Sequence, residues 1–563
     1  MKQIIECVPN ISEGRDREKI DTIAHVVETV PGIKLLDIDA GAATNRTVIT
    51  FVGEPEAVIE AAFLLIKKAA ELIDMSQHKG EHPRFGATDV CPLVPVANIT
   101  MDEVVPFAHR LAERVGKDLG IPVYCYENAA TEPKRKNLAN CRAGEYEGLQ
   151  KKLTDPAWKP DFGPAEFTSI VKKSGATAIS ARDFLVAYNI NLNTTSTRRA
   201  NAIAFDMREA GRTKTDNGKP DGKPVLDANG EPVRIPGKLK AVKGIGWYIE
   251  EYGIAQISYN LTNISITPVH VAFDETVKDA AERGIRVTGS ELVGLIPKKA
   301  MLDAADYFLA KQERSLGISE SEKIKIAVKS LGLDDLRPFN PKEKIIDYML
   351  EDATASPLIN MKLTSFADET AAESPAPGGG SISAYVGALG VALGTMVANL
   401  SAHKRGWDDK WNYYSDWAVK GQAYMHKMLA MVDADTAAFT KIMEAFRLPK
   451  ATEEEKAARS EAIAEATRGA INTPLDVMKT ALDSMEVMEE MSKTGLKASI
   501  SDAGVGAMCA LTAVRGAYLN VRINCKGFKD TVFVENALAK AEKIIAEATH
   551  REAEIMKIVL QHV

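Results

Sequence analysis

The chain has 563 residues, 45% hydrophobic and 26% charged, with a formal net charge of -7. That length exceeds one hydrophobic core and points to roughly two to four domains. The acidic balance argues against a nucleic-acid partner, which would leave a basic footprint, and the longest apolar stretch, 382–400, is Gly- and Ala-rich and reads as a tightly packed helix rather than a membrane span.

Cys7, Cys91, Cys125, Cys141, Cys509 and Cys525 form no C-x-x-C pairs. They read as the reduced thiols of a cytoplasmic enzyme. The N-terminus enters a strand-like run at once, without a signal-peptide pattern.

Residues 3–8 read as a strand stopped by Pro9, followed by a loop and a helix over 17–29. A strand at 33–39 sets Asp37 and Asp39 on one face by period-two alternation. After a turn at 41–46 come a strand at 47–52 and a helix at 54–74, striped by Val58, Ala61, Ala62, Leu65, Ile66 and Ala69. Next is His78-Lys79-Gly80-Glu81-His82-Pro83-Arg84-Phe85-Gly86-Ala87-Thr88-Asp89. Its His78-x-x-Glu81-His82 matches an inverted zinc-protease pattern, which needs a helix to bring both imidazoles to one metal. Gly80 and Pro83 disfavour that helix. The segment is therefore expected as a functional loop with no zinc geometry, since polar groups concentrated on glycine-shaped loops mark sites.

Strand 88–94, helix 101–118 and strand 122–127 follow. The irregular stretch 155–164, with Gly175-Ala176-Thr177 beyond it, reads as a boundary or ligand-covering loop. A strand at 184–192 alternates Asn189 and Asn191 with Ile190 and Leu192. Helix 196–210 precedes an insert, 211–238, whose Asn217-Gly218, Asp221-Gly222 and Asn229-Gly230 are hairpin signals. Strands 240–246 and 254–262, helix 268–283, strand 286–288 and helix 298–313 loosely repeat the first order of elements. The expectation is a multidomain chain: two related α/β (α+β sandwich) subdomains, 1–180 and 181–331, a linker 332–342, and an all-α helical bundle over 343–563.

The bundle is expected as helices 343–354, 362–371, 380–404, 412–447, 452–470, 473–493, 502–520 and 530–561. Pro377-Gly378-Gly379-Gly380-Ser381 opens one of them. Such a glycine loop suits either an anion at the helix N-terminus or simple close packing. On helix 412–447, Met425, Met428, Val432, Asp435, Phe439, Ile442 and Phe446 trace one inward stripe. Asp435 thus occupies an apolar slot, where desolvation raises a carboxyl's pKa toward general-acid use. A structural role, paired with a cation such as the run His403-Lys404-Arg405, is equally open; that run could instead hold an anionic ligand tail. Asp433 faces elsewhere.

These residues resemble a known family. Cys7 to Gly14, Asp37 to Gly41, Asn45-Arg46-Thr47 and the 78–89 loop resemble the formiminotransferase N-terminal subdomain. Asp161-Phe162-Gly163-Pro164, 184–192, Gly244 to Tyr248 and Gly289 to Leu295 resemble its C-terminal subdomain. Pro377 to Ser381, Val432-Asp433-Ala434-Asp435 and Arg447 to Lys450 look like the cyclodeaminase domain. The resemblance spans the chain and implies a bifunctional enzyme of histidine degradation. It would transfer the formimidoyl group of N-formimidoyl-L-glutamate to N5 of tetrahydrofolate, then cyclise the product to 5,10-methenyltetrahydrofolate with release of ammonia. It places the catalytic groups at His82 and Asp435. Substrate and folate contacts fall on Asn10, Asp39, Arg46, Gly163, Pro164, Phe167, Gly175, Ala176, Thr177, Arg182 and Asn189, and in the helical domain on Gly378, Gly379, Gly380, Ser381, Lys404 and Arg405. It implies tetrahydrofolate, polyglutamylated, as co-substrate, no metal, and a homo-oligomer in the form of an octameric ring. A chain with one working site, or a folate-binding scaffold without turnover, are the competing readings.

Overall fold

The computed structural model describes residues 3–42, 44–80, 83–218, 222–350, 356–374 and 376–563. Glu81 and His82 of the candidate loop, Asp221 of the insert and the end of the helix expected at 343–354 lie outside the described residues. The chain forms two compact units, Met1–Ala304 with Leu331–Met349, and Ala305–Ser330 with Leu350–Val563.

The first unit holds two large sheets. In one, β1 (Ile4–Cys7) and β2 (Asn10–Ile11) act as a single strand broken at Pro9, lying between β4 (Arg46–Gly53) and β5 (Thr88–Ala97). β3 (Lys34–Gly41) extends the sheet beyond β4. On the other side β6 (Val123–Glu127) and β7 (Thr177–Ala181) join β5 in parallel. The sequence reading had left β7 inside an irregular stretch.

Alternation decides what each face does. Ile5, Cys7, Ile49, Phe51, Cys91, Leu93 and Ile179 pack beneath Ile23, Val58, Leu65 and Leu111 of the covering helices, each such side chain worth about 1.5–3 kcal/mol when fully buried. The intervening residues Glu6, Val48, Thr50, Val90 and Pro92 must then point the opposite way.

The second sheet runs β11 (Val242–Ile249), β12 (Ile254–Leu261), β8 (Val186–Leu192), β13 (Val287–Val293), antiparallel throughout. The insert is the expected β-excursion, pairing β9 (Arg212–Thr213) with β10 (Arg234–Ile235). The expected linker is instead packed against this sheet: the Ser290 hydroxyl donates to Leu331 O at 2.6 Å and its N–H to Gly332 O at 2.9 Å.

The second unit is built on helices Gly379–Ala402, Trp411–Arg447, Glu453–Thr494, Ile500–Cys525 and Thr531–Val559. Gly390 and Gly506 let two of them approach backbone to backbone. By length and composition alone Gly379–Ala402 could cross a membrane, contrary to the sequence reading, yet most of it is buried within this unit. The two helices expected at 452–470 and 473–493 are one, running through Pro474. Proline should break it by orphaning the carbonyl four residues earlier. That carbonyl, on Ala470, accepts from Asn524 Nδ2 at 2.8 Å instead.

Candidate active sites

The free faces of the two sheets in the first unit enclose a cavity of about 1130 Å³. Glu6, Asn10, Asp39, Arg46, Thr50 and Arg182 line it from the first sheet, and Asn189, Lys243, Trp247, Ser258 and Asn260 from the second. Each set follows the period-two rule, and Val8, Val48, Val90, Ile245 and Val293 supply apolar wall between these polar groups.

Arg46 anchors one side. Its Nε donates to Asn10 Oδ1 at 3.0 Å and its Nη1 pairs with Asp89. The fully buried Asp89 also meets Arg142 Nη1 at 3.1 Å and accepts the Phe85 N–H at 2.9 Å. One carboxylate thus holds two guanidiniums and the end of the candidate loop. Burial lowers the pKa of Arg46, and the Asp89 charge opposes that shift. Glu6 is 4% exposed, and burial pushes its carboxyl up to about 7 against the pull of Arg182.

The described residues of the loop are not helical. Gly80 is required because a Cβ there would strike Thr44 O. Both ring nitrogens of His78 are engaged, Nε2 with Asn45 O at 3.0 Å and Nδ1 with the Arg84 Nε–H at 3.1 Å. Burial lowers its pKa. Arg84 also reaches Glu147 at 2.5 Å. His78 and Arg84 therefore brace the loop, with no ring nitrogen left for a metal or a proton transfer.

In the helical unit, Asp435 lies against the start of Gly379–Ala402. Its Oδ2 accepts the Ser381 N–H at 3.1 Å and lies 3.4 Å from the Ser381 hydroxyl, which donates to Val432 O at 2.8 Å. A Cβ on Gly380 would fall on the Asp435 carboxylate. Desolvation raises the pKa of Asp435, and the Ser381 hydrogen bonds oppose the rise. Asp433 instead accepts the N–H groups of Leu358 and Ile359 at 2.9 and 3.3 Å, tying down that segment.

Family models match the whole architecture: the formiminotransferase N-terminal subdomain over residues 4–182, the formiminotransferase domain over 187–351, and formiminotransferase-cyclodeaminase over 362–543. The chain is 43% identical to the formimidoyltransferase-cyclodeaminase of Gallus gallus, covering 99% of each chain. It is 42% identical to that of Mus musculus over 99% of this chain and 98% of the relative. The chain belongs to the formiminotransferase-cyclodeaminase family. A shorter relative, the glutamate formimidoyltransferase of Streptococcus pyogenes, is 41% identical over 56% of this chain and 95% of its own.

Of the contacts that the family resemblance suggests, Asn10, Asp39, Arg46, Arg182 and Asn189 meet at the cavity. Gly163, Pro164, Phe167, Gly175, Ala176 and Thr177 do not line it. Gly175 abuts Gly86 and Phe85 O, and the Ala176 N–H donates to Phe85 O at 3.1 Å. Thr177 is buried in β7, and Phe167 packs beside Tyr146. That segment backs the candidate loop. Gly163 meets the Ile121 carbonyl so closely that a Cβ would not fit.

Lys404 and Arg405 follow the far end of the 24-residue Gly379–Ala402 helix, about 36 Å from its start. They cannot pair with Asp435 in the same chain. Lys404 lies 4.0 Å over the Trp407 ring. Among the described residues nothing lies within 4 Å of a Cβ built on Gly378, and one on Gly379 meets only the Asn520 amide. The inward stripe also ends at Asp435, because Phe439 and Phe446 are 47% and 51% exposed. The 37-residue Trp411–Arg447 helix outruns its neighbour, which begins abreast of Asp435. Sequence reasoning missed Glu6, Arg142, Lys243 and Trp247. For Glu6 a signal existed, a carboxylate inside the apolar run Ile4-Ile5-Glu6-Cys7-Val8.

Proposed function

We propose that the chain is a bifunctional folate enzyme, a glutamate formimidoyltransferase joined to a formimidoyltetrahydrofolate cyclodeaminase. The observation that carries this reading is the likeness to relatives of that name over 99% of the chain. In the first unit, N5 of tetrahydrofolate attacks the amidine carbon of N-formimidoylglutamate. The tetrahedral adduct then collapses by expelling the glutamate nitrogen, so one proton must leave the attacking amine and another reach the departing one. His82, on the family resemblance, is the proton carrier, a task suited to a near-neutral imidazole. The cavity's Arg46–Asp89–Arg142 cluster supplies positive charge for substrate carboxylates.

In the second unit, N10 attacks the formimidoyl carbon and ammonia departs. Asp435 is the acid that protonates it: desolvation keeps its carboxyl protonated to higher pH, and Ser381 orients it. The co-substrate is polyglutamylated tetrahydrofolate, whose anionic tail suits Lys404 and Arg405. The enzyme works in the cytoplasm, in histidine degradation, as an octameric ring of identical chains. Supplying the purified chain with tetrahydrofolate and N-formimidoylglutamate tests the reading. Equal yields of glutamate, ammonia and methenyltetrahydrofolate support it; no glutamate release overturns it.

A further inference from the structure

Among the charged cavity groups that the transfer chemistry leaves unused is Glu6. Glu6 sits on β1, opposite Val52 of β4 and Val94 of β5, with Val8, Val90 and Pro92 also on the cavity wall. Its carboxyl therefore rises from an apolar patch. Among the described residues no hydrogen bond or contact ion pair engages it. Its charged neighbour is Arg182, which follows the end of β7 and attracts it without forming a salt bridge. Arg182 commits one guanidinium N–H to Asp183 O at 2.8 Å. The rest of its donor fork has no partner among the described residues, and the side chain lines the same cavity.

An anion and a cation, side by side in a cavity and not neutralising each other, form a receptor for a ligand with the reverse arrangement. A buried, unpaired carboxyl such as Glu6 is costly, and in a cleft such a group marks a ligand contact. N-formimidoylglutamate has the required form. Its amidine is a cation with two N–H groups in a planar fork, and the α-carboxylate hangs from the same carbon as the amidine nitrogen. Carboxylate and guanidinium forks are the matching bidentate partners. We propose that Glu6 binds the amidinium of the formimidoyl donor and Arg182 its α-carboxylate, so the pair sets donor specificity and presents the amidine carbon for attack. This rests on the transferase reading of the first unit. The pterin edge of folate also offers two N–H donors to a carboxylate, but it has no adjacent anion for Arg182.

The test is steady-state transfer by the full chain and its Glu6→Gln and Arg182→Met variants, with each substrate varied in turn. N-formylglutamate, an analogue that keeps both carboxylates but has an uncharged formamide in place of the amidinium, serves as inhibitor. Each variant should raise KM for the donor about tenfold, the equivalent of about 1.4 kcal/mol, and leave KM for tetrahydrofolate within about twofold. The inhibition constant of the formyl analogue should rise in Arg182→Met and stay put in Glu6→Gln, a split that a merely structural role would not produce. Donor KM unchanged in both variants overturns the assignment, as does a rise confined to tetrahydrofolate, which would give Glu6 to the pterin. If Glu6→Gln does not fold, as judged by its thermal transition, Arg182→Met and the analogue decide alone. A parent chain with no transfer activity overturns this assignment together with the reading beneath it; normal parent transfer with unchanged variants overturns the assignment only.

Discussion

Asp89 is the residue on which the first site's charge balance turns. It is fully buried and holds Arg46, Arg142 and the Phe85 N–H at once. Removing its charge leaves two like charges facing each other, and breaking a buried pair costs about 3–5 kcal/mol. Asp89→Asn should therefore lower the free energy of urea unfolding of the first unit by that order, and a loss under about 1 kcal/mol would contradict the geometry. Glu6 runs the other way. Its folded pKa of about 7 lies above the ordinary 4.5, so the folded chain binds this proton more tightly than the unfolded chain. The stability it lends is complete below pH 4.5 and is lost as pH rises through 7. The charged group bearing on it is Arg182. Glu6→Gln escapes that loss. Its stability margin over the parent should widen between about pH 5 and 8, by on the order of 3 kcal/mol, as thermal melts across pH would register. At this scale the sequence was partly legible. Asp435 announced itself as a carboxylate in an apolar stripe, whereas Arg142 sits in an irregular segment with no periodicity to point it at the cavity.

Among the elements, the contact between Gly379–Ala402 and Trp411–Arg447 makes the second site. Gly380 is small because Asp435 occupies the space of its missing Cβ. Gly380→Ala should push the carboxylate off Ser381 and cut ammonia release by about 100-fold, the usual cost of an ~1 Å misplacement, while transfer continues. Unchanged ammonia release would show that the carboxylate is not held there for catalysis. The insert supports the opposite prediction. None of its described residues lines the cavity, so replacing 215–232 by a short turn should leave transfer kcat/KM within about twofold, and a large loss would contradict the assigned cavity. Most strands and helices followed from their periods. The misreadings share a cause: partners distant in sequence satisfy what local chemistry forbids. Asn524 rescues the helix at Pro474, and the close approach of Gly175 to Gly86 carries the chain from an apparent loop into β7.

The whole molecule consists of two units joined in one chain. The loop at 78–89 and the Gly380–Asp435 contact belong to separate units, so their chemistries should be separable. The sequence made that duality legible through the change from alternating strands and helices to helices alone. It could not show that residues 305–330 pack with the helical unit and 331–349 with the sheets, because local pattern carries no record of which core a helix joins. The most direct measurement is glutamate release and ammonia release, assayed separately, for His82→Ala and Asp435→Asn. His82→Ala should abolish glutamate release while ammonia is still freed from supplied 5-formimidoyltetrahydrofolate, and Asp435→Asn should do the reverse. Loss of both activities in either variant, with the fold intact, would contradict the two-site account.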